Sequence, residues 1–507
     1  MTDVPHTDVL IIGAGPTGLT LACDLARRGI AHRIVERDPV PNRASKAKTI
    51  QSRSLEVLDD LGAVEHVLRR GVAGLPVRFH EPSGRVVDRP AISVRAKESF
   101  STPYPDALWI GQFDVEHALR ERHQELGGQV LFGTEAIGLE QDDIGVTVTL
   151  RAPDGIRTVR ARYVVAADGG RSGTRGLLGL PLIGETYERQ RWYLGDVTGP
   201  DLDREHMHIW PSEHGMLGLT PLPGSELWQF QSPILPHTNP GIPSLDFYQR
   251  LFDERAGAGT VVLKTATWLS VYRVNVRMVR DYRKGRVLLA GDAAHVHSPA
   301  GGQGMNTGIQ DAYNLGWKLA DVIEGAEPDL LDTYAAERIP VARRVLASST
   351  DKMRRFTEQA GRGSENGLGA ALSSIADGET TTGLGIHYRT GPLAGPGPQP
   401  GDRAPNVSGL KGTRATAGLF DLLRGPHWTL LVYDRPEPLV IDGTDPARLR
   451  VRLISRSDDT EGEFRSVYQP HRGELILIRP DGHIAARIPA GREAEAADHL
   501  GRFRELT

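Results

Sequence analysis

The apolar positions change period once within the first thirty residues. Asp8 to Gly13 is an apolar, branched run of strand length. From Leu19 the apolar spacing becomes helical, and Gly29 ends the helix. A second strand, "HRIVER", follows and carries Glu36 near its end. Two later apolar runs read as strands of the same kind: "ARYVVAADGG" ends on Asp168 and two glycines, and "GRVLLAGD" ends on Gly291 and Asp292. From about 180 to 280 the pattern breaks into short alternating runs, "EHMHIWP", "GMLGLTPLP" and "ELWQFQSP", separated by "SEHG" and "PGSE". That spacing predicts an antiparallel meander. Trp228 and Phe230 share one face of their strand, Gln229 and Gln231 the other. The alternation leaves open which face is covered, although aromatic residues favour a core.

The pattern divides the chain into five stretches: an α/β segment at 1–180, the meander at 181–280, a return to α/β with helices at 281–360, a Gly-, Ser- and Pro-rich connector at 361–400, and a separate α/β module at 401–507. A chain of 507 residues and 55.3 kDa is long enough for two or three cores. Net charge of −4 and a pI near 6.5 argue against nucleic acid or an anionic membrane as partner. Cys23 is the one cysteine, which excludes an intrachain disulfide or cysteine-built metal cluster and fits a reducing compartment. Cys23 lies in an apolar helical stretch and is expected to be a buried structural thiol. No metal site is expected, since His471 and His483 are isolated. No window reaches the apolar length of a membrane span, and the start has no secretory pattern, so a cytoplasmic protein is expected.

Gly13, Gly15 and Gly18 form GxGxxG at the first strand-to-helix turn, with Pro16 and Thr17 between them. The first glycine makes the turn, the second lets a diphosphate approach, and the third allows close packing of helix on strand. The helix then presents free N–H groups to the phosphates. Glu36, about twenty residues on, suits a carboxylate that binds ribose hydroxyls. Asp168 and Asp292 would stand at strand C-termini, the ligand-binding edge of an open α/β sheet, although each on its own could be a helix cap.

With these three motifs in this order, the chain resembles the class A flavoprotein aromatic monooxygenases, relatives of para-hydroxybenzoate hydroxylase. The likeness extends through "SKAKTIQSRSLEVLDDLG" and "GQFDVEHALRER" and covers residues 5 to 350. It implies a Rossmann-like FAD-binding domain, an antiparallel substrate domain roofing the flavin, and a C-terminal thioredoxin-like domain of the phenol and polyketide hydroxylase branches. Without cysteines, that last domain cannot do thiol redox work; packing or oligomer contact, such as a homodimer, is the expected role. The resemblance implies that Glu36 and Arg37 fall among the FAD contacts, that Asp292 binds the ribityl chain, and that Asp168 serves both FAD and NAD(P)H. Pro299, Gly301, Gly302, Gly304, Met305 and Asn306 lie against the flavin ring, the glycines permitting backbone contact. A helix starting near Thr307 points its positive end at the ring. Gln112 touches the flavin side. Lys46 and Lys48 fall where the family has basic residues near the cofactor, usually arginine. His208, Trp210, Met216, Trp228, Phe230 and Tyr272 are weaker candidates for the substrate cavity.

The mechanism implied is reduction of FAD by NADH or NADPH, addition of O2 to give a C4a-hydroperoxide, and oxygen transfer to a phenolic or polycyclic aromatic substrate such as a polyketide of antibiotic biosynthesis. The protein supplies positioning, water exclusion and charge stabilisation. No catalytic base is singled out by spacing. Baeyer–Villiger or epoxidising chemistry on the same scaffold, and a non-catalytic FAD-binding protein, remain open beside hydroxylation.

Overall fold

Val9, Leu10 and Ile11 are fully buried in the computed structural model of the chain, because both faces of their strand are covered. The structure describes residues 6–501, apart from 93, 214, 236–237, 300, 361–380, 392–395, 414–417, 437–438, 440–444 and 446. The expected connector at 361–400 thus lies largely outside the described residues. The central strands are β1 (His6–Ile12), β2 (His32–Val35), β3 (Val130–Leu131), β4 (Gly155–Ala166) and, much later, β10 (Val287–Leu289). They pair in parallel in the order β10-β4-β1-β2-β3. Helices α1 (Pro16–Arg27), α2 (Ser52–Leu61), α3 (Gln112–Glu125) and α6 (Gly304–Ile323) pack around them, and α4 (Gly173–Leu177) follows β4. Cys23 is fully buried on α1 and donates to the Leu119 carbonyl on α3 at 3.2 Å.

The second sheet holds β5 (Ile183–Thr198), β6 (Met207–Trp210), β7 (Leu217–Pro221), β8 (Trp228–Ile234) and β9 (Thr265–Met278). It is not a plain meander: β5 is inserted between β8 and β9, and the order runs β9-β5-β8-β7-β6. Two strands from the first segment of the chain, Leu75–His80 and Val86–Ile92, extend it beyond β6, with Met207 in parallel register with Val77. One face packs on α5 (Leu245–Ala256), where Tyr193, Trp228 and Phe230 meet Tyr248 and Phe252. The other face is left to cover the parallel sheet's ligand edge.

The C-terminal module is a four-stranded mixed sheet of β11 (Trp428–Tyr433), β12 (Leu449–Ile454), β13 (Leu475–Ile478) and β14 (Ile484–Ile488), in the order β12-β11-β13-β14. All six residues of β11 are buried. Leu431 and Tyr433 join the module's own core, while Trp428, Leu430 and Val432 join the main one. The period of two therefore vanishes from β11 because two bodies cover it. Among the described residues no helix is long and apolar enough to cross a membrane, and no group of His, Cys, Asp or Glu could hold a metal ion.

Candidate active site

A cleft of about 1920 Å³ runs from the C-terminal edge of the parallel sheet to the underside of the second sheet. Single small-molecule pockets span about 300 to 1,000 Å³, so the space suits a dinucleotide and a second ligand together.

At one end stands the glycine turn, and its three glycines do different work. Gly13 has φ +104°, and a Cβ there would come within 2.4 Å of the Ala167 carbonyl oxygen. A Cβ on Gly18 would lie 1.9 Å from the Gly13 oxygen, so this glycine seats α1 on β1. A Cβ on Gly15 would meet no protein atom within 4 Å. Gly15, Pro16 and Thr17 line the cleft at the N-terminus of α1, whereas Gly18 does not. Glu36 also lines the cleft, and it holds the turn itself by accepting from the Ala14 N–H at 2.8 Å and the Asp38 N–H at 3.1 Å. Arg37 lines the same wall.

The two aspartates differ. Asp168 Oδ2 accepts from the Thr174 N–H at 3.0 Å, which is a helix-capping contact, while its Oδ1 is buried without a partner and the residue borders the cleft. Asp292 sits in a single helical turn after β10, lines the cleft and makes no hydrogen bond among the described residues. Gly291 beside it has φ +60°, and a Cβ there would collide with Thr17 Oγ1 at 2.5 Å. The glycine thereby lets α1 and the turn after β10 close on each other.

Pro299, Gly301 and Gly302 border the cleft ahead of α6, and Gly304 and Met305 border it from the helix's first turn. That helix begins at Gly304, three residues earlier than the sequence suggests, because Asn306 fastens its first turn. Asn306 Oδ1 accepts from the Gln51 N–H at 2.8 Å, and its Nδ2 donates to the Gly302 carbonyl at 2.7 Å and the Thr49 carbonyl at 3.1 Å. Asn306 itself does not line the cleft. Gln112 begins α3 at the cleft wall and donates to Glu116 Oε1 at 2.8 Å. Burial raises the Glu116 carboxyl to about 7. Lys46 is exposed and adds positive charge near Glu116.

Lys48 goes elsewhere. Its Nζ donates to Gln231 Oε1 at 2.9 Å and Thr220 Oγ1 at 3.1 Å on the second sheet and stands 5.4 Å from the centre of the Trp109 ring. Desolvation lowers its pKa to about 7, only partly opposed by the charge of Asp196. Asp196 is held by the Ser45 N–H at 2.6 Å and by the Ser45 hydroxyl, and Gln229 Nε2 donates to the Ser45 carbonyl at 2.7 Å.

The register settles which face of the second sheet meets the cleft. Leu194 pairs with Gln231 and Ser270, and Trp192 with Tyr272. Gln229, Gln231, Trp192, Leu194, Ser270 and Tyr272 all line it. Trp228 and Phe230 point the other way into the core against α5. Four of the six aromatic, histidine and methionine candidates are therefore off the cleft. Trp210 is 3% exposed in that same core. His208 is fixed between the Asp203 carbonyl at 2.7 Å and the His80 ring at 2.8 Å, outside the cleft lining. Met216 and Tyr272 do border it, joined by Met207, Met353 and Trp109, which no spacing in the sequence marks.

The arrangement fits FAD: a phosphate-facing helix end whose middle glycine opens on space, an unpartnered Asp168 oxygen, a free Asp292 carboxylate, and a second helix end behind glycines. Residues 6–349 match the FAD-binding domain family, and residues 397–503 match the aromatic-ring hydroxylase C-terminal family. The chain belongs to the flavoprotein aromatic monooxygenases. It is 39% identical over 492 residues to a flavin-dependent monooxygenase of Mycobacteroides abscessus, covering 96% of this chain and 98% of that protein. A 6-methylpretetramide 4-monooxygenase of Streptomyces rimosus is 34% identical, over 94% of this chain and 90% of that protein. The solved structure of a flavin-dependent monooxygenase in complex with FAD and substrate superposes with a TM-score of 0.84 at 26% identity, over 99% of both chains. In this monooxygenase the glycine turn, Glu36, Asp168, Asp292 and the loop before α6 are thus the candidate flavin cradle, and the polar face of the second sheet is the candidate substrate wall.

Proposed function

We propose that this monooxygenase uses NADH or NADPH and O2 to hydroxylate a phenolic, polycyclic aromatic substrate. The observation that carries this reading is the composition of the cleft's second half. Met207, Met216 and Met353 border it, half of the chain's six methionines. With Trp109, Trp192, Trp268 and Tyr272 they form an adaptable apolar wall, broken by Gln229, Gln231 and Lys48. Thioether and aromatic surfaces suit a broad, flat ring system, and a few fixed polar groups orient it.

Bound FAD would supply oxygen activation, a chemistry the side chains do not have. The chain would hold the diphosphate at the α1 N-terminus and the ribose at Glu36. Asp168 and Asp292 would take hydroxyls of the cofactor. The α6 N-terminus would favour negative charge on the adjoining ring edge. The apolar wall would exclude water from the reacting carbon.

The test is stopped-flow reduction of the FAD-loaded protein by NADH and NADPH across simple phenols and polycyclic phenols. Product mass and NMR are followed in parallel. Substrate-stimulated flavin reduction, a gain of one oxygen and a new ring hydroxyl are expected. Ring oxygen insertion would reassign the reaction to Baeyer–Villiger chemistry, and absence of any oxygenated product would remove the reading.

A further inference from the structure

We propose that Lys48 is a catalytic residue of the substrate site: its ε-amino group receives the proton of an aromatic hydroxyl and holds the resulting phenolate. The assignment rests on the monooxygenase reading above and adds to it the group that activates the ring.

The family resemblance places Lys48 among cofactor contacts, two residues after Lys46, but its partners lie on the substrate wall. Thr220 and Gln231 belong to β7 and β8, on the face of the sheet that roofs the cleft. Both present oxygen to Nζ, so they occupy two of the three tetrahedral directions of the amine. Among the described residues nothing occupies the third, and Lys48, Gln231 and Trp109 all border the cleft. No carboxylate comes within 4 Å of Nζ among the described residues. The charged group that acts on it is Asp196, from β5, and that carboxylate is engaged by Ser45. The ring of Trp109 stands beside Nζ at 5.4 Å and tolerates either charge state, favouring the cation.

A desolvated lysine with no counter-ion is costly to keep charged, and here desolvation brings its pKa to about 7. At neutral pH a large fraction is therefore the free amine, whose lone pair can take a proton. In the proposed step the phenolic O–H bond breaks and an N–H bond forms at Nζ. The electron pair stays on oxygen and spreads to the ortho and para ring carbons, which raises their nucleophilicity toward electrophilic oxygen. The new ammonium then pairs with the phenolate, supplying the counter-ion the site lacks. The proton returns to the product oxygen as the ring loses its C–H proton to solvent and regains aromaticity. Oxygen itself comes from the monooxygenase reaction.

The experiment uses FAD-loaded protein and alizarin, a polycyclic phenol that turns from yellow to red on ionisation. Titrations are run below alizarin's own pKa with the wild type, Lys48→Met and Lys48→Arg, each checked for FAD content and circular dichroism. The expected result is a red band on binding to the wild type, retained in Lys48→Arg because arginine still pairs with the anion. In Lys48→Met the band should disappear and affinity should fall about tenfold or more, with FAD content unchanged. Yellow binding, no binding by the wild type, a red band persisting in Lys48→Met, or loss of FAD from that variant each overturns the assignment. If the Met variant still hydroxylates phenols at wild-type rate, this assignment fails and the monooxygenase reading stands. If the wild type oxygenates no phenol, the reading fails whatever the colour shows.

Discussion

Lys48 and Lys318 are both drawn out of water, and their surroundings show how two buried polar regions of this enzyme differ. Lys318, on α6, donates to Glu337 at 2.7 Å and to Asn314 at 3.0 Å. Glu337 also receives Arg479 at 2.6 Å, from the C-terminal module. Nearby, Arg403 from the same module reaches Glu56 on α2 at 2.8 Å, and Glu56 is shared with Arg53. Opposite charges hold Glu337 down at about 2, and desolvation lowers Lys318 to about 8, so the pair stays ionised between those values. At the module interface each charge meets its complement, and the result is attachment. At the cleft, Lys48 and Asp292 keep unused valences beside space large enough for ligands, and Asp168, which borders the same space, keeps a buried Oδ1 without a partner. Polar groups left incomplete by the protein beside a large cleft mark that part of the molecule as one that binds something else.

The largest expected effect lies at the interface. Arg403→Ala would leave Glu56 with Arg53 as its one remaining cation, beside the Thr102 hydroxyl. The loss of a partner from a buried pair costs about 3–5 kcal/mol, read as a large drop in Tm. An unchanged Tm with a loss confined to activity would erase the contrast between the two regions.

Next comes Asp292→Ala, which removes a carboxylate the fold does not use. Hydrogen bonds to charged groups contribute about 1.5–3 kcal/mol, so FAD should bind roughly ten- to hundredfold more weakly. The circular dichroism of the flavin-free protein should not change. Full flavin content in the variant would remove Asp292 from the cradle.

The glycine turn offers a matched pair of smaller effect. Gly18→Ala would force a methyl group to 1.9 Å from the Gly13 oxygen, and overpacking of this kind costs about 1–3 kcal/mol of fold stability. Gly15→Ala meets no protein atom and should leave the flavin-free Tm alone while lowering FAD occupancy. Equal Tm losses in both variants would show that Gly15 is only a turn residue.

These pairs also show what was legible in the chain. The turn, Glu36 and the strand-end aspartates were readable because their geometry is set within a few residues, and local spacing is what a sequence displays. The face of β8 was not, since Trp and Gln alternate equally well on either side. Tyr248 and Phe252 of α5 decide it by covering the aromatic face. His208 and Trp210 were drawn to the cavity by residue type, yet His80 and the α5 core claim them. The second sheet's outer strands, Leu75–His80 and Val86–Ile92, fall inside the segment 1–180, and no spacing there marks them as part of a distant sheet. The family resemblance implies a cofactor role for Lys48. Its hydrogen-bond partners lie 172 and 183 residues further on, beyond the reach of any motif.

The smallest effect, read between pH 6 and 7.5, separates the two lysines. In the folded protein Lys48 has its pKa lowered to about 7, against an ordinary lysine value of 10.5 when unfolded. Between those values the unfolded chain binds more protons than the folded one, so stability rises with pH. Below about pH 7 the full cost of a charged, unpaired Lys48 is present, and Lys48→Met, which removes the charge, should be more stable than the wild type there. That advantage should shrink steadily as pH climbs from 7 toward 10.5. Lys318 behaves differently, because its window opens only near pH 8 and removing its charge leaves Glu337 still bound by Arg479. Lys318→Met should therefore give a Tm difference from wild type that is flat between pH 6 and 7.5, where the Lys48→Met difference is already beginning to move. Thermal scans of the three proteins across pH 6 to 9.5 check this. A Lys48→Met difference that stays constant over the whole range would mean that Nζ has an ordinary, solvated pKa, and the cleft would lose its one proton-accepting lysine.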